Sequence, residues 1–250
     1  MLSGEENDRQ SETVTAENDS LKALKEHCKS IRDVLLTSET SKNSLENCRC
    51  VLDHFNVIIN IICEEKSRDG QLGSCLEFVL ESGIFEDIFA WSLGQRACMK
   101  ELIREQLKLY KSLLKRSKQP ILIFEEIVVP LKRLLRSCAG KQTSDIETVF
   151  VDVLHQLCVC VNQDVTLLNT HFINASSPTE ANVSVFCLLI PYLHCEGDVG
   201  LRSRDAVLLC TSLSMFQEQL ANFICEETTF CPVRNGRKGY YVAFSNPSDV

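Results

Sequence analysis

Thr143-Ser-Asp-Ile-Glu-Thr-Val-Phe-Val-Asp-Val-Leu-His-Gln-Leu-Cys-Val-Cys-Val161 decides the fold class. Ile146, Val149, Phe150, Val153, Leu154, Leu157 and Val161 recur at steps of three and four, which lines them along one face of an α-helix. Asp145 stands where a capping side chain would close the first turn. The stripe predicts that Phe150, Val153, Leu154 and Leu157 are buried.

The same period continues on both sides. Upstream, Leu21, Leu24, Cys28, Ile31 and Leu35 form one face, and a second helix is expected over Leu45–Glu64. There Val51, Phe55, Ile58 and Ile62 are widened by Leu52 and Ile59, and so broad an apolar band belongs to a central helix. Short helices are expected at Ser74–Glu81 and Ile84–Trp91, divided by Gly83 and ended by Gly94. A long helix follows over Gln95–Ser117, with Met99, Ile103, Gln106, Tyr110 and Leu113 on its inner line. Pro120 suits the first turn of the next helix, Ile121–Leu135, which Pro130 should kink or split. Beyond the 143–161 helix come Asp164–Phe172, Val183–Leu193, Gly197–Ser214 and Phe216–Cys225.

About ten helices in succession, with no sustained alternation of period two, predict an all-α fold. The expected architecture is an α-solenoid of stacked antiparallel helices, armadillo- or HEAT-like, with a globular helical bundle as the structural alternative. Residues 1–20 are expected to be a disordered arm, 21–232 the helical domain, and 233–250 a divergent, mobile tail.

Composition narrows the function. The 250 residues carry a formal charge of −8, which argues against broad binding to nucleic acid. Lys108, Lys111, Lys115, Arg116 and Lys118 cluster locally and read first as a solvated helix face, with a membrane or partner patch as the alternative. The longest apolar stretch, Val57 to Cys63, is interrupted by Asn60 and is too short to span a bilayer. The acidic start lacks the pattern of a secretory signal, so a cytoplasmic protein is expected. The 14 cysteines then read as reduced core thiols, with no disulfide. The sequons at Asn18, Asn174 and Asn182 carry no meaning in that compartment.

Catalytic and metal motifs do not assemble. There is no C-x-x-C, and the two C-x-C pairs, Cys48/Cys50 and Cys158/Cys160, splay apart on a helix. The histidines at 27, 54, 155, 171 and 194 each suit a structural role, His194 at a helix end. The acidic pairs Glu64/Glu65, Glu125/Glu126 and Glu226/Glu227 diverge on a helix, so none makes a carboxylate dyad. A few residues are over-specified for packing alone. Trp91 should anchor a helix corner. One of Glu125 and Glu126 should meet apolar surroundings or a groove edge. Arg202 and Arg204 could pair with Asp198 and Asp205. No catalytic, cofactor-binding or metal-binding residue is assigned, and no cofactor is expected.

Several stretches, read together, carry a family resemblance. They are Trp91-Ser-Leu-Gly-Gln, Glu105-Gln-Leu-Lys-Leu-Tyr-Lys-Ser-Leu-Leu, Gln119-Pro-Ile-Leu-Ile-Phe-Glu-Glu and Pro130-Leu-Lys-Arg-Leu-Leu-Arg-Ser-Cys. They continue with Leu154-His-Gln-Leu-Cys-Val, Leu188-Leu-Ile-Pro-Tyr-Leu-His-Cys-Glu-Gly and Gly200-Leu-Arg-Ser-Arg-Asp-Ala-Val-Leu-Leu, ending at Phe230-Cys-Pro-Val. In order and spacing, over roughly residues 45–233, they resemble the FTS- and Hook-interacting family. The resemblance implies a non-catalytic α-solenoid adaptor that joins a Hook protein to the ubiquitin-conjugating-like protein FTS. It also implies a link between dynein and endosomal or Golgi-derived vesicles, with a Rab GTPase as a further partner. A generic armadillo-like module with an unrelated partner, and a thiol-dependent enzyme, are the alternatives.

Members of that family continue beyond this length. Here Arg234-Asn-Gly-Arg-Lys-Gly-Tyr-Tyr leaves the pattern, so the chain is expected to be an N-terminal, truncated or spliced form. The surface around Leu213 to Ile224 is then expected to be partly exposed, and the isolated chain to self-associate.

Overall fold

A computed structural model describes residues 3–37, 44–65, 71–140, 142–167 and 185–215, with 218 and 221; for 3–16 and 44 it describes the backbone. These residues form nine α-helices and no β-sheet. The helices are α1 (Ser3–Thr37), α2 (Ser44–Glu64), α3 (Ser74–Ser82), α4 (Ile84–Gly94), α5 (Met99–Arg116), α6 (Glu125–Ser137), α7 (Ser144–Gln163), α8 (Val185–Leu189) and α9 (Gly197–Ser214). Single 3-10 turns lie at Ile121–Ile123, Val165–Leu167 and Ile190–Tyr192. The protein is all-α, as its periodicity predicts. The chain divides into two compact units, Met1–Leu134 and Leu135–Val250.

In the first unit α2 is central, as its broad apolar band requires. It packs against α1, α3 and α5. Val51, Phe55, Ile58, Ile59 and Ile62 are buried, and so are Leu24, Cys28 and Ile31 of α1. Phe55 meets Phe85 of α4 edge-on at 5.2 Å, and Phe85 meets Tyr110 of α5 at 5.6 Å. This aromatic run ties three helices together, with the quadrupoles in a favourable tilt. Burial, with the Glu86 carboxylate adding to it, pushes the Tyr110 hydroxyl well above its ordinary range.

Three boundaries differ from expectation. Helix α1 begins at Ser3, upstream of Leu21, where the helical period is expected to start. Glu5, Glu6, Glu12, Ala16 and Glu17 favour helix, and after Gly4 no Gly or Pro interrupts them. Helix α5 begins at Met99 rather than Gln95, because Gly94–Cys98 forms a turn in which the Cys98 N–H donates to the Gln95 carbonyl at 3.1 Å. The segment Ile121–Leu135 is split at Phe124, not at Pro130. Phe124 is extended, while Pro130 lies inside a continuous α6. Pro130 deprives only the Glu126 carbonyl of its intrahelical donor, near the helix start where Glu126 is exposed.

The second unit is organised by α7 packed against α9, with α8 touching both. Ile146, Phe150, Val153, Leu154, Leu157 and Val161 are buried as the stripe predicts. The residue at the N-cap of α7 is Thr143 rather than Asp145, and its side chain makes no capping bond. Instead the Glu147 carboxylate reaches back to accept the Gln142 N–H at 3.3 Å. The expected helix Asp164–Phe172 begins as a 3-10 turn, and residues 168–172 lie outside the described residues. The helix expected at Val183–Leu193 runs from Val185 to Leu189 and tightens into a 3-10 turn at Pro191. Leu213, expected at a partly exposed surface, is buried, whereas Met215 is 81% exposed. The expected helix Phe216–Cys225 lies almost wholly outside the described residues, and the tail 233–250 entirely so.

Candidate functional site

Eight of the twelve described cysteines are buried in the packing, three are half-buried and Cys187 is exposed. All twelve are in the thiol form. The C-x-C pairs diverge as helical geometry requires. Cys48 is buried and meets Cys98 at 3.0 Å, while Cys50 is half-buried; Cys158 is buried and meets Cys210 at 3.5 Å. Both separations exceed the ~2.05 Å of a disulfide bond. Trp91 and Leu52 pack on the cluster of Cys48, Cys98 and Leu102, so Trp91 does sit at a helix corner. Burial raises the thiols of Cys28 and Cys138 to about 11, and burial beside the Glu65 carboxylate raises Cys75 to about 12. Burial, with Cys210 adding to it, also drives Cys158 upward. Thiols held this high present almost no thiolate at neutral pH, the reverse of what a nucleophile needs. Among the described residues, no three metal-ligating side chains converge.

The acidic residues serve as helix anchors. Glu125 and Glu126 are both exposed, not set among apolar groups; they occupy the first turn of α6, where a helix N-terminus favours negative charge. Glu64 is exposed, while Glu65 closes α3 from outside that helix. Its carboxylate accepts the N–H of Cys75 at 2.7 Å and of Leu76 at 3.0 Å. Gln119, 5% exposed, completes the arrangement. Its side-chain amide donates to Glu65 at 2.9 Å, and its oxygen accepts the Gly73 N–H at 2.9 Å. A Cβ on Gly73 would fall 2.1 Å from the Glu65 Cδ, so a side chain here would push the Glu65 carboxylate out of its place. Glu226 and Glu227 lie outside the described residues.

The Gly200-Leu-Arg-Ser-Arg segment is an anchor of the second unit. A Cβ on Gly200 would lie 1.7 Å from the Cys195 carbonyl oxygen, so the absence of a side chain lets α9 close on the preceding turn. Ser203 Oγ, fully buried, donates to the Leu189 carbonyl at 2.9 Å. Arg204 donates to the carbonyls of Leu193 at 2.8 Å and Cys195 at 3.4 Å, which caps the helical turn before them. Arg202 pairs with Asp152 of α7, a carboxylate 8% exposed. The expected pairing of Arg202 and Arg204 with Asp198 and Asp205 is therefore replaced: one arginine crosses to α7 and the other caps a turn. His194, expected to serve those carbonyls, is exposed.

Asp152 carried a signal in the sequence, since an acid flanked by Val151 and Val153 on a buried helix has to find a cation. Nothing local announces Glu65, because its partners lie 10, 11 and 54 residues further along the chain.

The histidines separate. His27 of α1 and His54 of α2 meet, with Nδ1 atoms 2.7 Å apart; His155 is half-buried, and His171 lies outside the described residues. The basic run on α5 is largely solvated. Lys108, Lys115, Arg116 and Lys118 are exposed, Lys108 binds Glu105 at 2.8 Å, and Arg116 binds Asn60 at 2.6 Å. Burial alone would raise Glu105, but its bonds from Lys108 and Arg104 outweigh it and hold the carboxyl below its ordinary value. No helix among the described residues is long and apolar enough to cross a membrane.

This geometry supplies helix surfaces and well-anchored turns, and no convergent reactive constellation among the described residues. Comparison with known proteins accords with it. Residues 75–241 match the family model described as Retinoic acid induced 16-like protein, eight residues past Val233, where the resemblance was read to end. An FHIP family protein of Nematostella vectensis is 40% identical over 88% of this chain and 25% of its own length. The FHF complex subunit HOOK-interacting protein 1A of Homo sapiens is 36% identical over 88% of this chain and 21% of its own. Its Mus musculus counterpart is 37% identical over 88% and 20%. The chain thus spans a fifth to a quarter of the length of these relatives.

Proposed function

The chain belongs to the Retinoic acid induced 16-like family, and from that premise we propose that it is a non-catalytic adaptor which contributes a helical binding surface to a complex containing a Hook protein. The observation that carries this reading is the match, along 88% of the chain, to relatives named HOOK-interacting subunits of the FHF complex. The raised thiols of Cys28, Cys75, Cys138 and Cys158 and the anchoring carboxylates of Glu65 and Asp152 support it, because these groups serve packing and helix anchoring. FTS as a second partner, a Rab GTPase as a third, and a link from dynein to endosomal or Golgi-derived vesicles are finer parts of the same proposal. So are an armadillo-like stacking of the helices and a cytoplasmic location at vesicle surfaces.

Affinity capture from cytosol tests it. The tagged 250-residue chain should retain a Hook protein and FTS, and Arg202→Glu, which reverses the charge facing Asp152, should retain less of both. Capture of neither by a folded chain would contradict the assignment of this binding to these residues.

A further inference from the structure

His27 and His54 lie on different helices, 27 residues apart in sequence. Their Nδ1 atoms are 2.7 Å apart and their ring centroids 5.0 Å. The centroid separation is close to the nitrogen separation plus two ring radii. The two nitrogens therefore face each other nearly in line, with the rings tilted by 53°. Such a line accommodates a single proton: one ring donates from Nδ1 and the other accepts there.

Proton uptake then proceeds in unequal steps. The first added proton goes to Nε2 of the donating ring, away from the contact, and makes the bond charge-assisted and stronger. The second has to reach the accepting Nδ1, which the bond already occupies. It would set two N–H groups and two positive charges against each other.

His27 sits on α1 among Leu24, Cys28 and Ile31, all of which are buried. This stripe holds α1 in place, and α1 packs on α2, α3 and α4. We propose that the His27–His54 pair is an acid-sensitive joint, which fastens α1 to α2 while the pair carries at most one extra proton and loosens α1 when the second binds.

The surrounding charges permit this behaviour. Burial lowers His27 below the ordinary histidine value, His54 lowers it further, and Glu26 on the same helix opposes them. On the packed helices, Asp87 of α4 is engaged by Arg32 and Arg116 of α5 is held by Asn60, while Lys25, on α1 itself, lies over Phe78 of α3. Glu77 and Glu81 of α3 and Asp53 of α2 are exposed to solvent. A histidine lowered on folding contributes stability above its ordinary value and loses it as pH falls through the folded value. Loosening is therefore expected on the acid side.

Imidazole nitrogen resonances of the whole chain, followed by NMR from pH 8 to 4.5, test the proposal on the unmodified protein. His155, His171 and His194 serve as internal references. The 27/54 pair should titrate in two steps at least about one pH unit apart, as strongly interacting sites do. The second step should fall below the ordinary value of about 6.5. Amide exchange in α1, corrected for its intrinsic pH dependence, should quicken at least about tenfold across that second step, as local opening predicts. In a His27→Gln/His54→Gln variant this acid-driven change should vanish. Independent titration of both residues near 6.5, or corrected α1 exchange that does not change with pH, would overturn the proposal.

Discussion

The carboxylate of Glu65, at the end of α2, accepts the backbone N–H of Cys75, in the first turn of α3, at 2.7 Å. Together with the Leu76 N–H and the Gln119 amide, this bond ends one helix on the start of the next. Glu65→Ala should cost about 1–3 kcal/mol, the range for leaving buried donors unmet. The amides of Cys75 and Leu76 should lose hydrogen-exchange protection ahead of the rest of the first unit. Unchanged protection at those two amides would show that water replaces the carboxylate without loss.

Gly200 sets two effects against each other. Alanine in a helix interior is favoured over glycine by about 1 kcal/mol. Here, however, the new Cβ would lie 1.7 Å from a backbone carbonyl oxygen, and backbone cannot swing aside as a flexible side chain can. Gly200→Ala should therefore destabilise the second unit by about 2–4 kcal/mol, in the range of backbone and overpacking effects. Denaturant unfolding checks the sign, and a more stable variant would refute the close approach of α9 to the Cys195 turn.

Gln106 is 1% exposed on the inner line of α5, and its Nε2 has no partner among the described residues. An unmet buried donor costs about 1–3 kcal/mol. Gln106→Met keeps the shape and removes the donor, so it should leave the protein as stable or make it up to about 1 kcal/mol more stable. A clear loss in a thermal melt would reveal a partner that the amide requires.

The helices themselves were readable because burial in this chain follows a helical period. Leu24, Cys28 and Ile31, or Phe150, Leu154 and Leu157, each mark one face, and each face is buried. Local chemistry was less readable where one rule was applied alone. Pro130 looked like the breaker, yet Phe124 is where the chain turns, because one missing donor near a helix start is tolerated. The charged residues were least readable. Arg202, Arg204 and Glu65 choose partners across a tertiary gap, and the spacing of neighbouring charges does not reveal such partners. His27 and His54 were likewise two unrelated residues until α1 and α2 packed together.

Thiol reactivity should follow burial. Cys187 is exposed, whereas Cys28, Cys75, Cys138 and Cys158 are buried, and burial holds all four well above the ordinary thiol range. Brief alkylation of the native protein at pH 7.5, read by peptide mass, should modify Cys187 first and leave those four until unfolding. Rapid labelling of any of the four would place a reactive thiolate where the fold puts a packing residue, and would favour thiol chemistry over an adaptor role.

The adaptor reading is met most directly by mixing the purified 250-residue chain with a purified Hook protein and measuring the molar mass of the eluted species by light scattering. The account predicts a stable complex of defined stoichiometry, whose formation needs no cofactor and leaves both proteins chemically unchanged. Separate elution of two folded proteins at concentrations well above micromolar would contradict it.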